Sequence, residues 1–335
     1  MLLIAEIGFA EGLGIQILKS LVIFAVVLQL VPIVLMAERK VMGRMQSRYG
    51  PNRVGPYGSM QPIADIFKLL SKEQFTPQAA VPWMMALAPM ISIVTAVATI
   101  AIIPFGERGT WGGDIGLYGI DVSIGILYAF AFGALAFYGL MLGGWASGSK
   151  YSFLGSMRAA AQLISYEVAM GLALLGVIMT AGTLSLVSIV EAQGDMWFAV
   201  PQFVGFLIFV VAGFAETNRA PFDLPEAESE LVQGYITEYG GGRFGSYFMA
   251  EYVNMVIISA LITTLFLGGW HGPGPEAIGP LWVLLKMMVI LFIFVWVRAT
   301  LPRLRYDQLM SLGWKVLLPL ATLNALVTAI LVVAT

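Results

Sequence analysis

Apolar runs of roughly membrane-spanning length recur along almost the whole chain, separated by shorter polar connections. Eight can be read, at about 17–37, 82–104, 122–146, 159–182, 200–216, 247–270, 281–300 and 313–334. Most match the ~20 residues that a hydrocarbon core ~30 Å thick demands of a helix. The pattern predicts an all-α integral membrane protein with eight transmembrane helices in a single membrane domain, 1–335. The connections at about 38–81, 147–158, 217–246 and 301–312 share one side of the membrane. The fifth run is the shortest: Pro201 to Glu216 spans only ~24 Å at 1.5 Å per residue. Either the bilayer thins there or the following loop dips inward, and irregular backbone at that depth is tolerated only inside protein or along a wet cavity.

The periodicity changes once, inside the first connection. In Pro62-Ile63-Ala64-Asp65-Ile66-Phe67-Lys68-Leu69-Leu70-Ser71-Lys72-Glu73 the apolar Ile63, Ile66, Phe67 and Leu70 recur at i, i+3, i+4 and i+7. Asp65, Lys68 and Lys72 take the other side, and Pro62 suits a first helical turn. This predicts a short amphipathic interfacial helix after helix 1, either as a surface anchor or as one wall of a cavity for a lipid-like ligand. Before it, Tyr49-Gly50-Pro51-Asn52-Arg53-Val54-Gly55-Pro56-Tyr57-Gly58 is a run of turn formers.

The composition agrees: 59% of residues are hydrophobic and 11% charged. The basic residues set the orientation. Arg39, Lys40, Arg44, Arg48, Arg53, Lys68 and Lys72 follow the first run, Lys150 and Arg158 the third, Arg219 and Arg243 the fifth, and Arg298, Arg303, Arg305 and Lys315 the seventh. The opposite loops hold only Arg108. The positive-inside rule places the basic side in the cytoplasm or the matrix and both termini on the outer side. Glu6 and Glu11, with no early basic residue, do not read as a cleaved signal peptide. No internal repeat is visible, which counts against many transporter folds.

The chain contains no cysteine and one histidine, His271. That excludes a thiolate-held iron–sulfur cluster, a c-type haem, a zinc–thiolate site and a bis-histidine haem. No glycine-rich phosphate loop opens a strand–helix unit. The chain carries no obvious redox centre of its own.

The unusual chemistry lies in its carboxylates. Five of them and Arg219 fall within Glu216–Leu231: Glu216, Asp223, Glu226, Glu228 and Glu230. Asp223-Leu224-Pro225-Glu226 resembles a capping box, which would make Asp223 and Glu226 the start of a helix. Glu216, Glu228 and Glu230 escape that explanation. Groups so close lose protons in steps that belong to the set, and a nearby anion would draw protons in. Glu216 has Arg219 as a candidate partner three residues on. Glu167 sits nine residues past Arg158, ~13.5 Å along a helix and near mid-membrane. A lone carboxylate there costs ~2.5–3.5 kcal/mol. It is either a neutral side chain bonded to a neighbouring helix or a proton carrier. Glu251, nearer the basic side, is either an interface residue or part of a relay with Tyr252 and Asn254. Lys286 in the seventh run needs a buried partner or water.

Three stretches together resemble one family. Glu38-Arg39-Lys40-Val41-Met42-Gly43-Arg44-Met45-Gln46-Ser47-Arg48-Tyr49-Gly50-Pro51-Asn52-Arg53-Val54-Gly55-Pro56 is similar to the first cytoplasmic loop of the H-subunit family of proton-pumping NADH:quinone oxidoreductase, respiratory complex I. Ala215–Leu231 resembles that family's second signature, and Arg303-Leu304-Arg305-Tyr306-Asp307-Gln308-Leu309 a third stretch. The likeness covers essentially the whole chain. It implies a membrane component without redox centres in a proton-translocating oxidoreductase, forming the membrane-side floor and entrance of a quinone chamber. Quinone is then a shared substrate, and no haem, flavin or iron–sulfur cluster is expected here. Glu38, Arg39, Arg48, Asp65, Lys68 and Arg219 would lie near the chamber. Glu216, Glu226, Glu228 and Glu230 would form an acidic lining, and Glu167 and Glu251 would continue a proton route inward. The implied partners are peripheral quinone-site and iron–sulfur subunits, antiporter-like membrane subunits and membrane lipid, with no nucleic acid. The implied location is the bacterial inner membrane. Other readings of the same carboxylates are the membrane anchor of a related membrane-bound hydrogenase, a stand-alone proton or cation transporter, and a scaffold, though a scaffold leaves Glu167 unexplained.

Overall fold

The computed structural model describes residues 13–107 and 116–334. Glu6, Glu11, Arg108, Trp111 and Asp114 lie outside the described residues. The chain is helical: α1 (Leu13–Met45), α2 (Gln61–Ser71), α3 (Pro82–Ile100), α4 (Gly125–Ala146), α5 (Lys150–Ala181), α6 (Leu186–Glu191), α7 (Phe203–Glu216), α8 (Glu228–Leu231), α9 (Gly241–Phe266), α10 (Gly279–Thr300), α11 (Tyr306–Leu312) and α12 (Leu318–Ala334). A π-helical stretch, Gly313–Leu317, joins α11 to α12. Among the described residues there is no strand, only an isolated bridge between Pro104 and Tyr118.

Among the described residues seven helices are long and apolar enough to cross a membrane: α1, α3, α4, α5, α9, α10 and the continuous Tyr306–Ala334. The fifth predicted run forms α7, apolar but only 14 residues long. That is ~21 Å of helix, even shorter than the sequence suggests. The loop after it folds inward: Phe222, Leu224, Ala227, Leu231 and Tyr235 are buried. Gly155 of α5 lets this loop press close, since a Cβ there would lie 2.7 Å from Tyr235 N.

Several boundaries differ from expectation. α1 runs on through Glu38–Met45, residues expected in the first loop. Long straight side chains such as Glu, Arg, Lys and Met favour helix, and burial of Glu38 holds the extension in the protein. The helix ends near Ser47, whose φ is 57°. The chain then doubles back so tightly that a Cβ on Gly50 would lie 2.9 Å from Arg39 O. α5 begins at Lys150, nine residues before its predicted start, because its small Ser152, Gly155, Ser156 and Ala159 pack inside. The final helix likewise begins at Tyr306. The expected capping box is absent: α8 starts at Glu228, after Ala227 at φ 36°, with no side-chain cap. Asp223 and Glu226 therefore do not start a helix; burial of Phe222 and Leu224 overrides the local capping pattern.

α9 is the central element. It packs against α1, α2, α3, α6, α7 and α10, and most of its length from Tyr252 to Phe266 is buried. Phe214 of α7 stacks on Phe294 of α10, ring centroids 4.0 Å apart. Every carboxylate of interest inside the helices thus sits on, or faces, this central group.

Candidate functional site

Where α1 passes the ends of α9 and α10, four charged side chains meet. Glu38 of α1 is 2% exposed and Arg219, just past α7, is 5% exposed. Glu38 accepts hydrogen bonds from Tyr252 Oη at 2.7 Å, from Arg219 Nη1 at 3.4 Å and from Arg298 Nη1. Arg219 Nε lies 2.6 Å from Glu251 Oε1. The Arg219 guanidinium also covers the Tyr252 ring at 4.3 Å. Two carboxylates facing two arginines balance formally, which is the condition for burying charge. The fit is imperfect, because Nε and Nη2 of Arg219 make no hydrogen bond despite the close ion pair. Arg219 is therefore the partner of Glu38 and Glu251, not of Glu216: α7 ends at Glu216 and Asn218 turns the chain at φ 51°.

The acidic loop extends this cluster. Burial raises the pKa of Asp223, against the opposing pull of Arg303, Arg298 and Arg219. Glu226 is pushed well up, chiefly by burial and further by the negative charges of Glu251 and Asp223. Glu230 is different. It is exposed, held at 2.5 Å by Arg158 and at 3.3 Å by Arg303. The Arg158 hydrogen bond lowers its pKa. Glu228 is exposed as well. The five-carboxylate block thus divides into an inner part (Glu216, Asp223, Glu226) and an outer part (Glu228, Glu230).

A second pair lies beside the first. Asp65 of α2 takes Arg39 Nη1 at 2.5 Å and Gln61 Nε2 at 3.0 Å. Asp65 lines an apolar cavity of about 380 Å³ between α1, α2 and α9, walled by residues such as Leu28, Leu35, Leu69, Phe248, Met249 and Tyr252. Tyr252 is common to both features: its ring faces the cavity and its hydroxyl bonds Glu38. All four apolar residues of the predicted amphipathic face, Ile63, Ile66, Phe67 and Leu70, are exposed, and Ile66 and Leu70 also border the cavity. Arg48 and Lys68 do not join this group. Both are exposed, and Arg48 bonds Gln46.

Inside the helices the remaining carboxylates form a series. A cavity of about 50 Å³ is lined by Glu167, Glu216, Asn254 and Thr95 among apolar side chains. A second, of about 30 Å³, is lined by Glu216, Glu251, Asn254, Tyr235 and Tyr247. Glu216 and Asn254 line both, so Glu251 and Glu216 border one small cavity and Glu216 and Glu167 the other. Gln162 fixes the junction from α5, donating to Ala215 O at 2.7 Å and Asn218 Oδ1 at 3.2 Å. Lys286 lies apart from the series. It donates to the carbonyls of Leu267, Gly269 and His271 at 2.6–2.9 Å and sits 4.5 Å from the Trp197 ring centroid. These residues follow the C-terminal end of α9, the end a helix dipole makes negative.

Sequence reasoning did not single out Arg298, Gln162, Tyr235 or Tyr247. Arg298 counted only as a loop charge, although an arginine at the end of an apolar run, level with Glu38, was the available signal. Among the described residues no group of three or more His, Cys, Asp and Glu side chains is placed to hold a metal ion.

A family model described as NADH dehydrogenase matches residues 18–329. Relatives named as H subunits of NADH-quinone oxidoreductase include one from Syntrophotalea carbinolica, 52% identical over 93% of this chain and 94% of its own length. The one from Protochlamydia amoebophila is 53% identical over 87% of this chain and 90% of its own. A Geobacter metallireducens relative of the same name is 50% identical over 95% and 97%. With matches of this extent to both the family model and these relatives, the chain belongs to the NADH dehydrogenase family.

Proposed function

We propose that this chain is the complex I membrane subunit that forms the membrane-side part of the quinone-binding chamber and couples quinone reduction to proton translocation. The observation that carries the reading is the position of Tyr252. It closes the apolar cavity on one side and bonds the buried Glu38–Arg219–Glu251–Arg298 cluster on the other. A cavity of about 380 Å³ with an apolar wall and the Arg39–Asp65 pair at its edge suits an apolar ligand with one polar end. Quinone has that character. In this reading α7 is an eighth, shortened span, and α2 lies at the interface as the outer wall of the chamber. The basic side faces the cytoplasm of a bacterial inner membrane, both termini face outward, and the exposed loops dock peripheral iron–sulfur and antiporter-like subunits within surrounding lipid.

Reduction of a quinone to a quinol takes up two electrons and two protons, and puts negative charge into the chamber before the protons arrive. Glu38 and Arg219 feel that charge directly through Tyr252. Their pairing with Glu251 passes the change to the acidic loop, where buried Asp223 and Glu226 exchange protons. The two small cavities then carry a proton from Glu251 through Glu216 to Glu167 and on to neighbouring subunits. In a low-dielectric setting such coupling amounts to several kcal/mol over 4–5 Å. Arg48, Lys68, Glu228 and Glu230 serve this scheme only as surface groups.

The test fills the cavity. In the assembled complex, Met249→Trp should raise KM for quinone severalfold and leave electron transfer from NADH to ferricyanide, taken from the peripheral arm, unchanged. An unchanged KM for quinone would remove the cavity from the quinone path.

A further inference from the structure

Serine and threonine inside helices usually turn their hydroxyls onto the carbonyl three or four residues back. This chain follows that rule in its core: Thr95 donates to Ile91 O, Thr99 to Thr95 O, Ser165 to Gln162 O, Ser259 to Met255 O and Thr263 to Ser259 O. Ser92 of α3 breaks it. Its side chain is 4% exposed, and its Oγ has no hydrogen-bond partner in the protein. A buried hydroxyl left in that condition costs ~1–3 kcal/mol. Ser152 shares the condition but lines neither of the two small cavities.

Ser92 lines the cavity of about 30 Å³ that also meets Glu251, Glu216 and Asn254. That space exceeds the ~10–15 Å³ that a buried water needs, and a buried water takes two to four polar partners. The space is kept open by small residues on α4. A Cβ on Gly139 would collide with Ser92 Oγ and lie 3.0 Å from Ala88 O. Gly133 and Ala136 line both cavities.

We propose that this cavity is a water-binding junction, in which Ser92 Oγ and the Asn254 side chain hold a water that passes protons between Glu251 and Glu216. The inference rests on the proton route proposed above and adds two positioning residues to it. In the step, Glu251, once it has taken up a proton from the acidic loop, gives it on: its carboxyl O–H breaks as that proton bonds to the water. The water releases another of its protons to the Glu216 carboxylate. The net change is one proton moved, with the water regenerated. Ser92 and Asn254 only orient the water and neither gains nor loses a proton.

The isosteric pair Ser92→Thr and Ser92→Val tests it in the assembled complex in liposomes, since the two differ only in the hydroxyl. The readouts are protons moved per electron, quinone-coupled turnover and its solvent deuterium isotope effect. Ser92→Thr should stay within about twofold of the native complex. Ser92→Val should slow coupled turnover about tenfold, the worth of one lost hydrogen bond, and raise the isotope effect, with NADH:ferricyanide activity intact in both. A Ser92→Val complex that behaves like Ser92→Thr overturns the inference. Should the space beside Gly139 admit neither side chain, the smaller Ser92→Ala combined with Asn254→Leu replaces them. The same tenfold loss supports the inference, and native behaviour overturns it. Glu216→Gln separates this from the underlying route. If Glu216→Gln stops pumping while the Ser92 variants do not, only the water junction fails. If Glu216→Gln pumps fully, the route fails and the junction with it.

Discussion

Removing the charge of Arg219 tests whether the buried cluster is a single electrostatic unit. Arg219→Met keeps much of the stem packing and deletes the guanidinium that sits 3.4 Å from Glu38 and 2.6 Å from Glu251. The two carboxylates do not suffer equally. Glu38 retains Arg298 and the Tyr252 hydroxyl, whereas Glu251 loses the guanidinium it pairs with. Breaking a buried pair by removing one member costs ~3–5 kcal/mol. With one carboxylate stranded, the lower end, ~3 kcal/mol, applies. At ~1.4 kcal/mol per decade that is about a hundredfold at most in a rate of irreversible unfolding. The assay is the loss of intact purified complex with time at a fixed elevated temperature, followed by size-exclusion chromatography. Arg219→Met should fall apart some 10- to 100-fold faster than the native complex. Arg219→Met with Glu251→Gln, which removes the stranded charge, should return to within about threefold of Glu251→Gln alone. If the two effects simply multiply, Arg219 and Glu251 are not coupled and the cluster is not a unit.

Two further outcomes follow from the loop and from Lys286. The pKa of Glu226 is raised in the fold by burial, so the folded state holds its proton more tightly than the unfolded chain. Its contribution to stability is full below the unfolded value of ~4.3 and is lost as pH rises through the folded value. Hydrogen-exchange protection of residues 217–240, corrected for intrinsic rates, should fall as pH rises above the ordinary glutamate range, and fall less in Glu226→Gln. Equal slopes would refute this. Lys286→Met leaves three carbonyls, that of Gly269 among them fully buried, without the ammonium, at a cost of ~1–3 kcal/mol for a buried carbonyl left unpaired. The yield and thermal stability of the assembled complex should drop, with protons per electron unchanged in the complex that forms. Native stability would show that these contacts carry no weight.

Much of this arrangement is legible in the chain. The apolar runs and the short fifth run follow from local pattern, and α7 proves shorter still. What escapes is pairing across distance. Arg219 and Arg298 meet Glu38 from 181 and 260 residues away, and no spacing rule reaches so far. Arg48 and Lys68, close in sequence to Arg39 and Asp65, stay exposed, and Arg48 bonds Gln46 instead. The Asp223–Glu226 pattern misleads for a related reason. Capping is a local preference of ~1 kcal/mol, and burying Phe222, Leu224 and Leu231 outweighs it. Lys286 finds backbone carbonyls, partners that side-chain chemistry in a sequence does not display. Ser92 is invisible for the opposite reason, since its distinction is a hydrogen bond it does not make.

The most direct test of coupling is the number of protons moved per electron by the complex in sealed liposomes when Glu167 is replaced by Gln. Gln fills the same space and cannot carry a proton. The account predicts a fall in protons per electron, with NADH:ferricyanide electron transfer intact. Full stoichiometry in Glu167→Gln would contradict it.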